Sequence, residues 1–487
     1  MLFDIYYERV YDIGKKMVKK KRKLNPYILL IVSFLGFVLI GSFLLSMPFS
    51  LRDSHGHWCH NSTYLDALFT SLGAMTLTGL TTYKDGLATT LTPAGQIIVL
   101  VLVQIGGLGI VTILTFLFTI FRRKLQFKDR LMISQAIAFN NLSEITRYVR
   151  RLIIITLSCE VIGFILGVPL FLQVFQDEPL RAVYYSVFYA ISSFNNAGFD
   201  LFHGGSMLMV SDLFAANNFL HYYTTIYLAV LSLLGGISFL VIIDIILGHK
   251  PPRAWSSFTK ICLTMTFGLI LIMSSLLFLT DGMKSDHPMS YYEALMQIIN
   301  CRTAGFSVYP QDQISLPGRM ICCVMMLVGG SPLSTAGGIK VTTAFIIVLA
   351  VVSYFRGKKI SAFKRRYSYD LVAKSMSLVF VVIAFLFIAF AGLVAFGTKN
   401  VEGYTLSENI EKDKVSFYMY EVFSCFGNVG FQTGLEPCLA PGSQIILCIL
   451  MLVGHLGPMA FFQLFQNHLD KNANVHYSFV EEDFLIG

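Results

Sequence analysis

Four glycine-containing segments have residue types that can coordinate a dehydrated cation. They are Leu77-Thr78-Gly79-Leu80, Asn196-Ala197-Gly198-Phe199, Thr303-Ala304-Gly305-Phe306 and Asn428-Val429-Gly430-Phe431. Backbone carbonyls are strong dipoles without net charge, so they replace the water around a monovalent cation without trapping it. Glycine permits the backbone conformations that point consecutive carbonyls inward. One such segment is typical of a helix that ends at a C-cap glycine, whereas four copies favour a ring around a pore.

Each segment follows an apolar stretch that is too short to cross a bilayer and predicts a re-entrant helix. These stretches cover residues 64–76, 183–194, 291–301 and 416–426. Each lies between two longer apolar blocks, so the sequence repeats span, short helix, glycine loop and span four times. A short helix that points its C-terminal end at the cavity adds partial negative charge, which favours a cation there.

The longer blocks predict eight membrane spans. They cover residues 27–47, 95–120, 151–174, 220–247, 260–280, 318–354, 371–396 and 442–465. A chain of 487 residues that is 55% hydrophobic and only 14% charged is not a water-soluble globular protein. We therefore predict an all-α polytopic membrane protein, with four tandem repeats of span, pore helix and span in a pseudo-fourfold arrangement around one central pore.

The basic residues predict the orientation. Most lysines and arginines fall in clusters after every second span, which places those clusters and both termini in the cytoplasm of a plasma-membrane protein. The net charge of +8 is then an orientation signal and not a sign of nucleic-acid binding. The predicted units are a basic N-terminus (1–25), four repeats (26–122, 150–248, 259–355 and 370–466) and a C-terminal tail (467–487).

The sixth span is too long for one helix, and its glycines and proline predict a break. We call residues 329–340 the sixth-span loop. Irregular backbone is tolerated at membrane depth only where it is buried in protein or lines a watery cavity. A static kink packed by small residues is the alternative. A gate in the ion path would use Gly329, Gly330, Ser331, Ser334, Thr335, Gly337, Gly338 and Lys340.

The chain resembles the Trk/Ktr/HKT superfamily of potassium transporters, and most closely the KtrB-type membrane subunit. Besides the four loops, the resemblance rests on Gln104-Ile105-Gly106-Gly107-Leu108-Gly109, Phe194-Asn195 before the second loop, Arg302 before the third, and Ser334-Thr335-Ala336-Gly337-Gly338-Ile339-Lys340. It extends over nearly the whole chain.

The resemblance implies one pore per subunit, K⁺ at the loop carbonyls, the sixth-span loop as the gate, a homodimer, and a cytoplasmic ring of nucleotide-binding RCK subunits that responds to adenine nucleotides. Na⁺ as an activator is also implied, and no organic cofactor. No loop has the two-glycine TVGYG pattern, so we expect a potassium preference with some sodium leak. Gly79 is present, and serine at that place accompanies sodium permeation in plant relatives.

Two cationic side chains are candidate pore charges. Lys340 either neutralises carbonyls or repels cations in the closed state, or it snorkels to the cytoplasmic interface. His455 stands where the family usually has an arginine that points into the pore. Because an unperturbed histidine titrates near pH 6.5, it would make a weaker and pH-dependent barrier. A neutral histidine in helix packing is the alternative.

Other residues are weaker candidates for a functional site. His55, His57, Cys59 and His60 do not have the spacing of a structural zinc site. The nine cysteines have no regular spacing and are predicted to be small core residues rather than a disulfide framework. The basic loops could serve orientation alone or also bind anionic lipid or the ring partner. No catalytic motif indicates an enzyme. A sodium-coupled potassium symporter, or a less selective cation channel, is the alternative to a potassium channel.

Overall fold

The computed structural model describes residues 26–52, 63–84, 86–109, 145–202, 218–246, 248, 251–283, 288–401 and 404–457. The basic N-terminus, the C-terminal tail, the histidine and cysteine cluster at 55–60, and the predicted span residues 110–120 and 458–465 lie outside these residues. The described part is helical except for connecting loops and one hairpin of two short strands, β1 (Ser361–Ala362) and β2 (Arg365–Arg366). The chain is thus an all-α protein, as predicted.

The helices follow the predicted repeats. Repeat 1 contains α1 (Pro26–Leu45), α2 (Tyr64–Met75), α3 (Gly86–Thr90) and α4 (Pro93–Leu108). Repeat 2 contains α5 (Ile145–Val174), α6 (Pro179–Phe194), α7 (Asn218–Gly236) and α8 (Phe239–Ile246). Repeat 3 contains α9 (Ser257–Asp281), α10 (Tyr291–Asn300), α11 (Leu316–Leu327) and α12 (Val341–Phe355). Repeat 4 contains α13 (Tyr369–Phe396), α14 (Glu408–Lys412), α15 (Lys414–Gly427) and α16 (Pro441–Leu456).

Local sequence explains where several of these helices begin. At the start of α10, Ser290 accepts the Glu293 amide while the Glu293 carboxylate accepts the Ser290 amide, which is a capping box. Proline is near the first position of α4, α6, α11 and α16, where its missing amide costs nothing. These signals start the short helices and the second spans at defined residues, so the glycine loops between them have defined ends.

Four described helices are long and apolar enough to cross a membrane: residues Val149–Val174, Phe219–Gly236, Ser257–Asp281 and Tyr369–Phe396. Shorter apolar helices occupy the other predicted span positions. Large apolar side chains on α13, such as Phe380 and Phe387, are more than two-thirds exposed. An exposed apolar surface of this kind fits a lipid environment, since water-soluble proteins rarely expose large apolar patches.

The sixth span breaks as predicted, between α11 and α12. The fourth span, which the sequence predicts as one helix over residues 220–247, is also broken, and that prediction was wrong. α7 ends at Gly236, and α8 begins at Phe239. The break is stabilised from outside the span, because the Phe239 amide donates to the Leu333 carbonyl in the sixth-span loop at 3.2 Å.

The four short helices are arranged in a circle. Each packs against the first span of its own repeat and against the second span of the preceding repeat: α2 on α16, α6 on α4, α10 on α7 and α15 on α11. The last repeat thus contacts the first. The repeats therefore close on themselves, with the short helices inside and the spans outside.

Candidate functional site

The four glycine loops share one backbone conformation. The first residue of each, namely Leu77, Asn196, Thr303 and Asn428, has a left-handed backbone with φ between +53° and +73°. The glycine two positions later has φ between +66° and +82°. Left-handed backbone is uncommon for residues with a Cβ, so four occurrences at equivalent places are not chance turns. The conformation is a property of the loop, repeated four times.

The loops also contact one another in chain order. A Cβ placed on each glycine would collide with the middle carbonyl oxygen of the next loop: Gly79 with Ala197 at 2.2 Å, Gly198 with Ala304 at 2.9 Å, Gly305 with Val429 at 2.4 Å, and Gly430 with Thr78 at 1.5 Å. The last contact returns to the first loop and closes the circle. We call residues 77–79, 196–198, 303–305 and 428–430 the four-loop ring.

Each loop is fastened to the end of its short helix. The middle residue donates its amide to a carbonyl in the last turns of that helix: Thr78 to Gly73 at 2.8 Å, Ala197 to Ser192 at 2.8 Å, Ala304 to Asn300 at 3.0 Å, and Val429 to Ser424 at 2.9 Å. These bonds use the amides inside the loop, so the loop carbonyls remain available. The C-terminal ends of all four helices, with their partial negative charge, meet at the ring.

Glycines in three of the second spans let the short helices approach closely. A Cβ on Gly106 would lie 2.3 Å from the Met75 carbonyl oxygen, one on Gly235 1.8 Å from that of Phe194, and one on Gly454 1.9 Å from that of Phe426. Each of these glycines is the first of a pair, 106–107, 235–236 and 454–455, with His455 replacing the second glycine in repeat 4. The sixth span has the pair 329–330 at its break. This internal repeat was the sequence signal for the missed break in the fourth span.

The sixth-span loop lies against the ring on the side where the short helices end. The Asn196 amide group and the Thr335 hydroxyl are hydrogen-bonded at 3.2 Å. A Cβ on Gly337 would lie 2.4 Å from Oδ1 of Asn428. Arg302, which is 5% exposed, directs Nη2 toward the Gly329 carbonyl at 3.5 Å. The loop therefore contacts the first residues of two ring loops and the residue before a third.

Several hydrogen bonds join the sixth-span loop to the broken fourth span. The Thr335 amide donates to the Gly235 carbonyl at 3.3 Å, and the Ser331 amide donates to the Gly236 carbonyl at 3.2 Å. Two bonds close the base of the loop, from Ile339 to Leu327 and from Val341 to Gly330, both at 3.1 Å. Gly338 has φ +70°, where a side chain would strain the backbone. The two breaks thus support each other.

Two predicted cationic residues lie near this loop. Lys340 is half-buried, and its Nζ donates to the Ala336 carbonyl within the loop, which favours a role in neutralising carbonyls over snorkelling. His455 donates through Nδ1 to the Thr76 carbonyl at 3.0 Å and packs against the Phe34 ring. Lys340 lies within electrostatic range of His455. The imidazole is thus packed between repeats 4 and 1, and its part in a barrier stays a prediction.

Buried polar side chains support the ring, and one of them, Glu160, was not among the predicted site residues. Asn428 donates through Nδ2 to the Thr76 carbonyl at 3.0 Å and the Thr78 hydroxyl at 2.8 Å, so loop 4 is tied to loop 1. Behind loop 2, Glu160 accepts from Gln104 at 2.9 Å and from Asn195 at 3.0 Å. Glu160 is 7% exposed on an otherwise apolar span. An ionisable residue at membrane depth is itself a functional signal, and it was available in the sequence.

The cysteines behave as predicted. The eight described ones are free, and all are buried or half-buried. Cys59 lies outside the described residues. Small apolar side chains fit such positions, so these thiols contribute to the core and not to a covalent framework.

The chain matches a family of known proteins over most of its length. Residues 36–477 match the family described as "TrkH: Cation transport protein". The chain is 30% identical to the potassium/sodium uptake protein NtpJ of Enterococcus hirae, over 98% of this chain and 100% of that one. It is 30% identical to the Ktr system potassium uptake protein B of Bacillus subtilis, over 95% and 97% of the two chains.

The fold is similar to a solved structure. The potassium transporter TrkH from Vibrio parahaemolyticus superposes with a TM-score of 0.65 over 91% of this chain and 86% of that one, at 18% identity. At that identity the match speaks for the polytopic helical fold alone.

Proposed function

The chain belongs to the TrkH family of cation transport proteins, and from that premise we propose that it moves potassium across the plasma membrane through the four-loop ring. Members of this family are transporters and not enzymes. The observation that carries the proposal is the closed circle of loops, in which each glycine abuts the middle carbonyl of the next loop. Four sets of main-chain carbonyls around one axis supply the oxygens that a dehydrated monovalent cation needs.

Potassium is the proposed main substrate, with a limited passage of sodium. The relatives from Enterococcus hirae and Bacillus subtilis, which cover nearly the whole chain, are named as potassium/sodium and potassium uptake proteins. The four loops differ in their first and middle residues. Unequal loops supply less uniform carbonyl rings than four identical ones, so discrimination between the two ions is expected to be incomplete.

The sixth-span loop is the proposed gate. It lies against the ring where the short helices end. It is not part of a continuous helix, and hydrogen bonds and the packing of small residues hold it in place. Lys340 places a positive charge in it. Movement of this loop would open the path under the ring, and the fourth-span break would move with it because the two share their hydrogen bonds.

A cytoplasmic partner is also part of the proposal. Three relatives are named as potassium uptake proteins of a Ktr system, so we infer that this chain works with a further component. Its resemblance to KtrB-type subunits makes a homodimer under a ring of nucleotide-binding RCK subunits the assembly to test. The basic loops around residues 356–366 would face that ring if both termini are cytoplasmic.

The test is potassium uptake by a transporter-deficient cell that expresses this chain. Wild type should restore uptake, and Gly305→Ser should remove it, because a side chain there meets the Val429 carbonyl at 2.4 Å on a backbone with φ +73°. Gly268→Ser is the matched control, since a Cβ on Gly268 meets nothing within 4 Å. Absence of rescue by wild type, or equal uptake by all three proteins, would contradict the proposal. Dependence of the reversal potential on the sodium gradient would favour a symporter.

A further inference from the structure

Two fully buried carboxyl groups lie behind the fourth loop of the ring. Glu421 is on α15 and is 0% exposed, and Glu436 follows the loop and is 2% exposed. Both carboxyl groups accept hydrogen bonds from Thr433, Glu436 from its amide and Glu421 from its hydroxyl, so the two groups are neighbours. Among the described residues, no lysine or arginine is within ion-pair distance of either. Two adjacent and fully buried negative charges without a counter-charge are strongly unfavourable, so the pair cannot be ionised at both sites.

The hydrogen bonds around the pair distinguish the two residues. Glu436 accepts two main-chain amides, from Thr433 to Oε1 and from Gly434 to Oε2, both at 2.9 Å. Amide donors on both oxygens favour the charged carboxylate. Glu421 accepts only the Thr433 hydroxyl, at 2.6 Å on Oε1, and its buried Oε2 accepts nothing. The Oε2 atom of Glu421 gains a hydrogen-bond partner when it carries a proton and donates it to the Glu436 carboxylate.

Repeat 3 contains a neutral counterpart. Gln311 and Glu436 both lie six residues after the glycine of their loop. Gln297 on α10 and Gln311 exchange amide hydrogen bonds of 2.9 Å and 3.3 Å, and Gln311 also donates to the Tyr309 carbonyl at 2.7 Å. In both repeats, therefore, a side-chain pair ties the short helix to the segment that leaves the loop. In repeat 3 an amide donates, and in repeat 4 only a protonated acid can.

We propose that Glu421 is a neutral carboxylic acid that donates its proton to the Glu436 carboxylate, and that this acid–carboxylate pair positions the fourth loop and thereby sets ion selectivity. Neither residue is in the ring, so both are positioning residues that act through residues 428–434. The selectivity part rests on the proposed function. Among the described residues, the other titratable groups that face the pair are Tyr420 and Cys425 on α15, and Tyr404 and Cys438 on the segments packed against Glu436.

The variants Glu421→Gln and Glu436→Gln should differ in potassium/sodium selectivity. Gln at 421 donates from its amide where the acid donates its proton, so the potassium/sodium selectivity should stay within about twofold of wild type. In Glu436→Gln an NH₂ group replaces one carboxylate oxygen, so a donor faces a main-chain N–H that is also a donor. The potassium/sodium selectivity should therefore fall by about tenfold. Wild-type selectivity should decline as alkaline pH removes the shared proton, whereas Glu421→Gln should not respond. Rubidium uptake in the presence of competing sodium measures the selectivity of wild type and of both variants. Glu408→Gln, the same change at an exposed residue, is the matched control.

Infrared spectroscopy tests the proton without relying on transport. The purified protein in lipid should show a carboxylic-acid C=O stretching band at neutral pH that is lost in Glu421→Gln and kept in Glu408→Gln. If the band is absent from wild type, the shared proton is wrong even if potassium transport is found. If the band is present but no protein moves potassium, the proposed function fails and the acid–carboxylate pair stands. Equal losses of selectivity in Glu421→Gln and Glu436→Gln would overturn the assignment and favour a bound cation between two carboxylates.

Discussion

The four-loop ring and the sixth-span loop touch each other, but they are held in different ways. Ring loops meet backbone to backbone, with no room for a Cβ at any of the four glycines. The sixth-span loop is held by separate hydrogen bonds, of which several run to Gly235 and Gly236 in the broken fourth span. A close-packed ring has one arrangement, because any shift creates a collision. A loop on separate bonds can exchange them one at a time.

This difference suggests a division of work. The ring is suited to discrimination between ions, which requires carbonyl oxygens at constant distances. The sixth-span loop is suited to gating, which requires two arrangements of similar free energy. The contact between them, at Asn196, Asn428 and Thr335, is polar or made by small residues, so the loop can move without dismantling the ring. Substitutions in the two regions should therefore have different consequences.

Gly430→Ala should have the largest effect. The added Cβ would lie 1.5 Å from the Thr78 carbonyl oxygen, and the backbone has φ +82°. A left-handed backbone costs a residue with a Cβ about 1 to 2 kcal/mol before the collision is counted, so potassium uptake should fall by at least about tenfold. Uptake in transporter-deficient cells measures this, with Gly268→Ala as the control. Normal uptake and normal selectivity in Gly430→Ala would mean that the ring is not closely packed in the working protein.

Gly337→Ala should have an intermediate effect of the opposite sign. The added Cβ would lie 2.4 Å from Oδ1 of Asn428, so the sixth-span loop must withdraw from the ring. Basal uptake should rise by about threefold. This change is expected when the closed state loses the stabilisation of roughly one hydrogen bond. The ratio of potassium to sodium uptake should stay at the wild-type value. A lower ratio would show that the loop contributes to selection, and the two regions would no longer be separable.

His455→Arg should have the smallest of the three effects. It adds a permanent positive charge near Lys340, and we expect potassium flux at neutral pH to fall by about twofold to threefold through repulsion in a partly hydrated path. The control is His455→Gln, which keeps a donor for the Thr76 carbonyl without a charge. Flux measured from pH 5.5 to 8 would test the barrier. Unchanged flux and unchanged pH dependence in His455→Arg would assign His455 to helix packing alone.

The spans and short helices were predictable because their signals are local. Apolar runs set their lengths, and proline, serine and glutamate at their starts set several first residues, so the predicted stretch 291–301 lies within one residue of α10. The sixth-span break was predictable from its glycines and proline. The fourth-span break was missed, because Gly235-Gly236-Ile237-Ser238 continues an apolar run. The helix is interrupted there by hydrogen bonds to Leu333 and Thr335, which are almost one hundred positions away in the sequence.

By itself, the sequence determined that the chain is a helical membrane protein of four repeats and where the glycine loops lie. These properties follow from composition and short-range pattern. Only the tertiary structure decided that the loops close in chain order, that His455 binds the Thr76 carbonyl, and that Glu421 meets Glu436. Such contacts join different repeats, or a helix to the segment beyond its loop, and depend on how whole helices pack. The physical reason is that a local sequence specifies a backbone conformation, but only packing specifies which distant groups share a desolvated space.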